Sequence, residues 1–242
     1  MNIKVIISGL ALSSALSHAN TPYVGAALAL DHLSGKRSES LKNEAGNTVT
    51  FSKGRSLSAN QINGYLFVGM IHNFKNSPLF IAPEFQIGRG SISSALDKEV
   101  PDNDYHPLIL RNLNPKLKRD MNTSLVVKVG ATIKDNYSAY GIVGIDASHF
   151  KYTYTYQNID FANNVISGAQ TFKKAKWKYT PVFGVGVGKK TDNVGINLEY
   201  RIAPYNAIKV SRTIVSGPDQ ETVTAKVKPV TSTVMIRLSY FF

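Results

Sequence analysis

The sequence predicts an all-β fold: eight antiparallel strands in up-and-down order, closed into a transmembrane β-barrel with three short turns at one end and four long loops at the other. Three observations predict it. The chain of 242 residues ends on a stretch in which Val234, Ile236, Leu238, Tyr240 and Phe242 share one face while Met235, Arg237 and Ser239 share the other. Strict period-two alternation of this kind marks a strand with one apolar side. Seven earlier segments are strand-like, and most alternate in the same way. The connections between the eight run long, short, long, short, long, short, long. A membrane barrel with an even strand number segregates its connections like this, whereas a β-sandwich has no reason to.

The elements follow in order. Residues 23–31 set Val24, Ala26, Leu28 and Leu30 against Tyr23, Gly25, Ala27, Ala29 and Asp31, and a polar loop covers residues 33–59. Residues 60–73 form a second strand, but Tyr65, Leu66, Phe67, Val68, Met70 and Ile71 are all apolar and leave its faces unassigned. A short turn at 74–77 leads to 78–90, with Leu79, Ile81, Phe85 and Ile87 against Ala82, Glu84, Gln86 and Gly88. After a loop at 91–119, residues 120–133 alternate Leu125, Val127, Val129 and Ala131 with Ser124, Lys128, Gly130 and Thr132. A turn at 134–136 precedes 137–152, where Val143 and Ile145 oppose Gly144 and Asp146. A loop then runs to about residue 174. Residues 175–189 place Tyr179, Phe183, Val185 and Val187 opposite Thr180, Gly184, Gly186 and Gly188; residues 190–193 turn the chain. Residues 194–207 set Ile196, Leu198, Tyr200 and Ile202 against Gly195, Asn197, Glu199 and Arg201, and a last loop spans about 208–225. Pro181, Pro204 and Pro229 fall near one rim, where a bulge would absorb them. Pro83 falls nearer the middle and has no account at this level. Tyr23, Phe74, Tyr137 and Tyr240–Phe242 are expected at one lipid interface, and Tyr152, Tyr154, Trp177 and Tyr179 at the other.

Residues 1–19 read as a signal peptide and 20–242 as the barrel domain. Lys4 supplies the charged start, residues 5–16 the apolar run, and Ser17-His18-Ala19 a small-residue cleavage site. Twelve apolar-leaning residues are too few to cross a bilayer as a helix. The chain has no cysteine, which excludes disulfides and thiolate metal sites. Its net charge of +12 would raise nucleic-acid binding in a cytosolic protein. Export makes nucleic acid an unexpected partner and anionic glycolipid, polysaccharide or an acidic host surface the better candidates.

Inward faces carry Glu84, Asp146 and Glu199 against Lys128, Arg201 and Arg237. An eight-stranded barrel is only wide enough for side chains to fill, so a lumen charge network is expected, with a narrow ion path as the alternative. Loop-borne bases form clusters, chiefly Lys173, Lys174, Lys176 and Lys178 around Trp177. Others are Lys36, Arg37, Lys42, Lys53 and Arg55, and Lys209, Arg212, Lys226 and Lys228. No catalytic, metal or cofactor constellation stands out, and the chain is not expected to be an enzyme. The run Gly184–Thr191 is glycine-rich, but Lys190 intervenes before Thr191 and no helix follows, so it is not a phosphate loop.

The aromatic ending Val234, Ile236, Leu238, Tyr240 and Phe242 resembles the C-terminal assembly signal of Gram-negative outer-membrane β-barrels. The opening Tyr23-Val24-Gly25-Ala26 resembles the first strand of many small ones. With the charged interior, the whole chain after the leader resembles the small OmpA/OmpX-type barrels, of the surface-antigen and porin-like kind. The resemblance implies a monomer in the outer membrane with periplasmic turns and extracellular loops. It also implies contact with outer-membrane lipids, including lipopolysaccharide, and with the barrel-assembly machinery. A structural and recognition role on the cell surface is expected, toward acidic host or matrix molecules among others. A low-conductance pore and a lipid-modifying enzyme are the alternatives. Ser148-His149 is similar to the chemistry of outer-membrane lipid A deacylases, yet neighbouring strand residues face opposite ways and cannot share a proton directly.

Overall fold

The computed structural model describes residues 20–42, 48–50, 55–95, 108–112, 116–160, 165–166, 170–216 and 219–242; the expected leader, residues 1–19, lies outside them. Among the described residues eight long strands form a ring: β1 (Asn20–Lys42), β2 (Arg55–Asn73), β3 (Leu79–Ala95), β4 (Lys116–Thr132), β5 (Tyr137–Asp160), β6 (Gln170–Thr191), β7 (Val194–Pro204) and β8 (Asp219–Phe241). Each pairs antiparallel with the next, and β8 pairs back onto β1 from Tyr23↔Phe241 to Lys42↔Thr222. Four short pieces extend the hairpins at the long-loop end: Thr48–Thr50 on β1, Leu108–Asn112 and Val165–Ile166 on β5, and Ile208–Ser216 on β8.

Alternation decides what each wall faces. Leu28, Leu66, Leu125, Ile145, Val185, Leu198 and Ile236 all point outward and are exposed, while their strand neighbours are buried in the lumen. On β2, whose faces the sequence left open, Ile62 is 71% exposed and Asn63 only 5%. Tyr65 and Phe67 are therefore apolar residues on the inner face, and Leu66 and Val68 belong to the outer one. An outer wall this apolar needs hydrocarbon against it, and a closed ring leaves no unpaired edge there.

The three tight turns sit where expected. Asn76, Asn136 and Asp192 take φ of 58°, 63° and 45° in them, which suits Asn and Asp because a short polar side chain tolerates the left-handed region.

Other expectations are corrected. The long connections are not loops over their whole length. Residues 33–42, 92–95, 116–119, 153–156, 170–174 and 222–225 continue the ring strands in the same ladders. Polar composition marks the point where lipid gives way to water, but backbone pairing carries on past it. The aromatic rims are also thinner than expected. Phe74, Tyr137, Tyr240 and Phe242 face lipid at the short-turn end, and Trp177 and Tyr179 at the other. Tyr23, Tyr152 and Phe241 point into the lumen instead. The side chain of Tyr154 lies outside the described ones.

The prolines are accommodated by breaks in pairing. Between Gly69↔Glu84 and His72↔Ile81 the β2–β3 ladder skips the two pairs that would involve Pro83 and Ala82, with the register unchanged. The N–H that Pro83 lacks is one this ladder does without. Pro181 lies beyond the β6–β7 ladder, which ends at Ile202↔Phe183. Around Pro204 and Pro229 the pairing passes from Pro204↔Val230 to Ile208↔Val227. Three residues there oppose two, which is a bulge.

Trp177 is the sole tryptophan and is 39% exposed on the outer wall. In reconstituted vesicles its fluorescence is expected to be quenched more by lipids brominated near the headgroup than by lipids brominated near the bilayer centre. The folded ring should also migrate differently on a gel before and after boiling.

Candidate functional site

The lumen charges fall into two clusters. The lower one, toward the short turns, gathers Glu84 of β3, Lys128 of β4, Glu199 and Arg201 of β7, and Arg237 of β8. Arg237 forks across both acids, donating from Nη1 to Glu199 Oε1 at 2.6 Å and from Nη2 to Glu84 Oε2 at 2.5 Å. Lys128 Nζ lies 2.8 Å from Glu84 Oε2 and 2.9 Å from Glu199 Oε1. Arg201 donates to Glu199 Oε2 from Nε at 3.0 Å and Nη2 at 2.6 Å. Tyr23 and Tyr140 donate their hydroxyls to Glu84 and Glu199 at 2.9 and 2.8 Å. The Arg237 guanidinium stacks 3.8 Å from the Phe67 ring centroid, a cation–π contact in a site with 0% exposure.

Asp146, expected in the same network, belongs to the upper cluster. It accepts hydrogen bonds from Ser124 and Ser148 at 2.7 Å each, from Asn122 at 3.2 Å and from the Tyr205 hydroxyl. Beside it Asp31 accepts from Tyr65 at 2.7 Å, from Thr233 at 2.5 Å, and from Asn63 and Arg119. Asp31 and Arg119 were absent from the expected set. Asp31 was already legible as inward. Arg119 was expected in the loop at 91–119 but lies in β4, and a register shift between Arg119 and Met121 reverses parity there, so that alternation counted back from Ser124 would also put it on the wrong face.

β6 contributes no charge at this level and makes room instead. A Cβ at Gly186 would stand 2.5 Å from the Tyr140 ring, and one at Gly184 would stand 3.0 Å from Arg201 Cγ. The glycine run is thus a lane for large side chains from β5 and β7. Between the clusters lies a cavity of about 20 Å³ bordered by Gln86, Arg119, Asp146, Arg201 and Thr233. That is about the room one water needs.

The basic cluster around Trp177 divides between faces. Lys173 and Trp177 share the outer face, while Lys174, Lys176 and Lys178 share the inner one above the upper cluster. Lys174 and Lys178 donate to the carbonyls of Lys209 and Ala207, each at 3.0 Å. Ser148 and His149 point to opposite sides: Ser148 is fully buried, and His149 meets Asp120 at 2.7 Å on the outer wall. Val234, Ile236, Leu238, Tyr240 and Phe242 all face outward, 44–64% exposed.

Removing one partner of a buried pair strands the other, at about 3–5 kcal/mol. Glu199→Ala is expected to cost that much in urea unfolding from lipid vesicles. The double variant Glu199→Ala/Arg201→Ala should fall short of the sum of its singles by more than about 0.5 kcal/mol.

No protein-family model and no curated protein matches the sequence. Solved structures do. The outer membrane protein OprG of Pseudomonas aeruginosa aligns with a TM-score of 0.50 at 14% identity, over 93% of this chain and 96% of that one. Ail, the attachment invasion locus protein of Yersinia pestis, aligns with a TM-score of 0.37 at 12% identity, over 92% and 97%. The likeness to OprG is one of fold. Joined to an outer wall that hydrocarbon must cover, it gives this chain the architecture of a small outer-membrane β-barrel.

Proposed function

We propose that the barrel is a membrane-structural, surface-recognition protein whose basic outer wall, above the apolar belt, holds the phosphates of lipopolysaccharide. The observation that carries this reading is a set of like-charged cross-strand neighbours. Lys36 of β1 is paired directly with Lys228 of β8, and Lys226 of β8 directly with Lys209 of the adjoining Ile208–Ser216 piece. All four are exposed on the outward face. Like charges directly opposite one another destabilise a sheet, and an anion between them reverses the sign. Above Val234 on β8 this patch meets the headgroup layer, where glycolipid phosphates lie.

The recognition role is not a catalytic one. Acidic host or matrix molecules are a further class of partner for the inner-face ladder of Lys174, Lys176 and Lys178, spaced by about 6.6 Å per two residues. A conducting role is disfavoured by the two side-chain clusters that fill the lumen and the small volume left between them.

Stability in two lipid backgrounds tests the reading. In zwitterionic vesicles Lys228→Gln should stabilise the barrel by about 0.2–1 kcal/mol, because it removes a repulsion. With lipopolysaccharide present, the unsubstituted protein should gain more stability than the variant, and the difference should shrink in high salt. Equal gains would remove the proposal. Planar-bilayer recordings should show no steady current; a robust current lost in Arg201→Ala would favour the pore. Glycolipid turnover abolished by Ser148→Ala would favour an enzyme.

A further inference from the structure

The lumen opens at the short-turn end into a vestibule of about 200 Å³. Its floor is Lys128, the one member of the lower cluster that lines it. An ammonium has three N–H donors. Two of those on Lys128 go to Glu84 and Glu199; the Tyr140, Phe67 and Tyr23 ring centroids stand 5.4, 5.9 and 6.0 Å from the same nitrogen, and the side chain borders the open space. The cluster holds three cations, Lys128, Arg201 and Arg237, against two carboxylates, so one positive charge is over. The compensating negative charge sits in the upper cluster, where among the described residues Asp31 and Asp146 face one cation, Arg119, and are already hydrogen-bonded by their own neighbours.

The vestibule walls are aromatic on two sides. Tyr23 and Phe241 stand together on β1 and β8, with ring centroids 5.4 Å apart; Phe80 and Tyr140 stand together on β3 and β5, 6.1 Å apart. In a ring of eight strands these pairs lie nearly opposite each other. At the mouth Lys190 holds its ammonium 4.4 Å from the Phe241 ring centroid. None of the described residues lining the space is a carboxylate. The volume is below the roughly 300–1,000 Å³ of drug-sized sites, so an occupant is small. A slot between aromatic walls, with the Lys128 ammonium on its floor and Lys189 and Lys190 at its entrance, is complementary to an anion that carries an apolar body.

From this we infer that the periplasmic vestibule is a binding site for a small monocarboxylate with an apolar body, its carboxylate on Lys128 and its body between the two aromatic pairs. The site is independent of the outer-wall lysines and lies at the opposite end of the barrel.

The test uses the whole barrel in zwitterionic nanodiscs, with 4-fluorobenzoate as probe and ¹⁹F line-broadening as readout. Saturable broadening is expected, competed by benzoate and not by 4-fluorobenzyl alcohol. Lys190→Gln should weaken binding about two- to fivefold, the range of an exposed charge pair. Ser138→Phe, which narrows the vestibule without touching the charge cluster, should abolish it while the gel-shift behaviour of the folded barrel is kept. Three results would overturn the inference: no saturable broadening, equal binding of the neutral alcohol, or undiminished binding in the Ser138→Phe barrel. Inorganic phosphate competing as well as benzoate would also overturn it, because it would mean a bare anion site with no use for the aromatic walls.

Discussion

The structure depends on one pairing, the ladder between β1 and β8, which joins residues some two hundred positions apart. In hydrocarbon an unpaired backbone N–H or C=O costs several kcal/mol, because no water is there to take it. An open sheet of the same strands would present two such edges to lipid. Closure removes both edges. It also fixes which side of each strand is inside, so every later feature, from the lipid-facing leucines to the lumen charges, inherits its place from that seam.

Closure inverts the usual arrangement of a soluble protein. The apolar surface goes outward, and the narrow interior is left to the residues that lipid rejects. Eight strands leave too little room for water to solvate them individually, so the charges must solvate one another. Glu84 and Glu199 are each met by several cationic donors and one tyrosine, and Asp31 and Asp146 by rings of hydroxyls and amides. The acids anchor groups drawn from almost every strand, which ties the wall together from within. β6 takes part by yielding space, since its inner glycines are where Tyr140 and Arg201 fit.

How far the fold was legible follows from what period-two alternation reports. It tells which side a residue is on, and so it located the centres of the strands, the turn sites and the inward direction of Glu84, Lys128, Asp146, Glu199, Arg201 and Arg237. It says little about height along the barrel, so the separation of Asp146 from the other five could not be read. It failed where inside and outside are both apolar, as around Tyr65 and Phe67. It also failed where a bulge resets the count, as at Arg119. Strand ends were misjudged because composition follows the solvent while pairing follows the backbone: residues 33–42 are polar and still strand. The division of the lysines about Trp177 was implicit in the same alternation, since Lys173 and Trp177 have one parity and Lys174, Lys176 and Lys178 the other.

The stacking of a lower cluster with one extra positive charge beneath an upper cluster with one extra negative charge has a consequence for traffic. The interior is polarised along the barrel axis. An ion arriving from outside passes the inner-face Lys174, Lys176 and Lys178 first, then a layer with one negative charge over, then one with one positive charge over. Sign alternates along the axis, so neither valence meets a wall that attracts it over the whole height of the barrel.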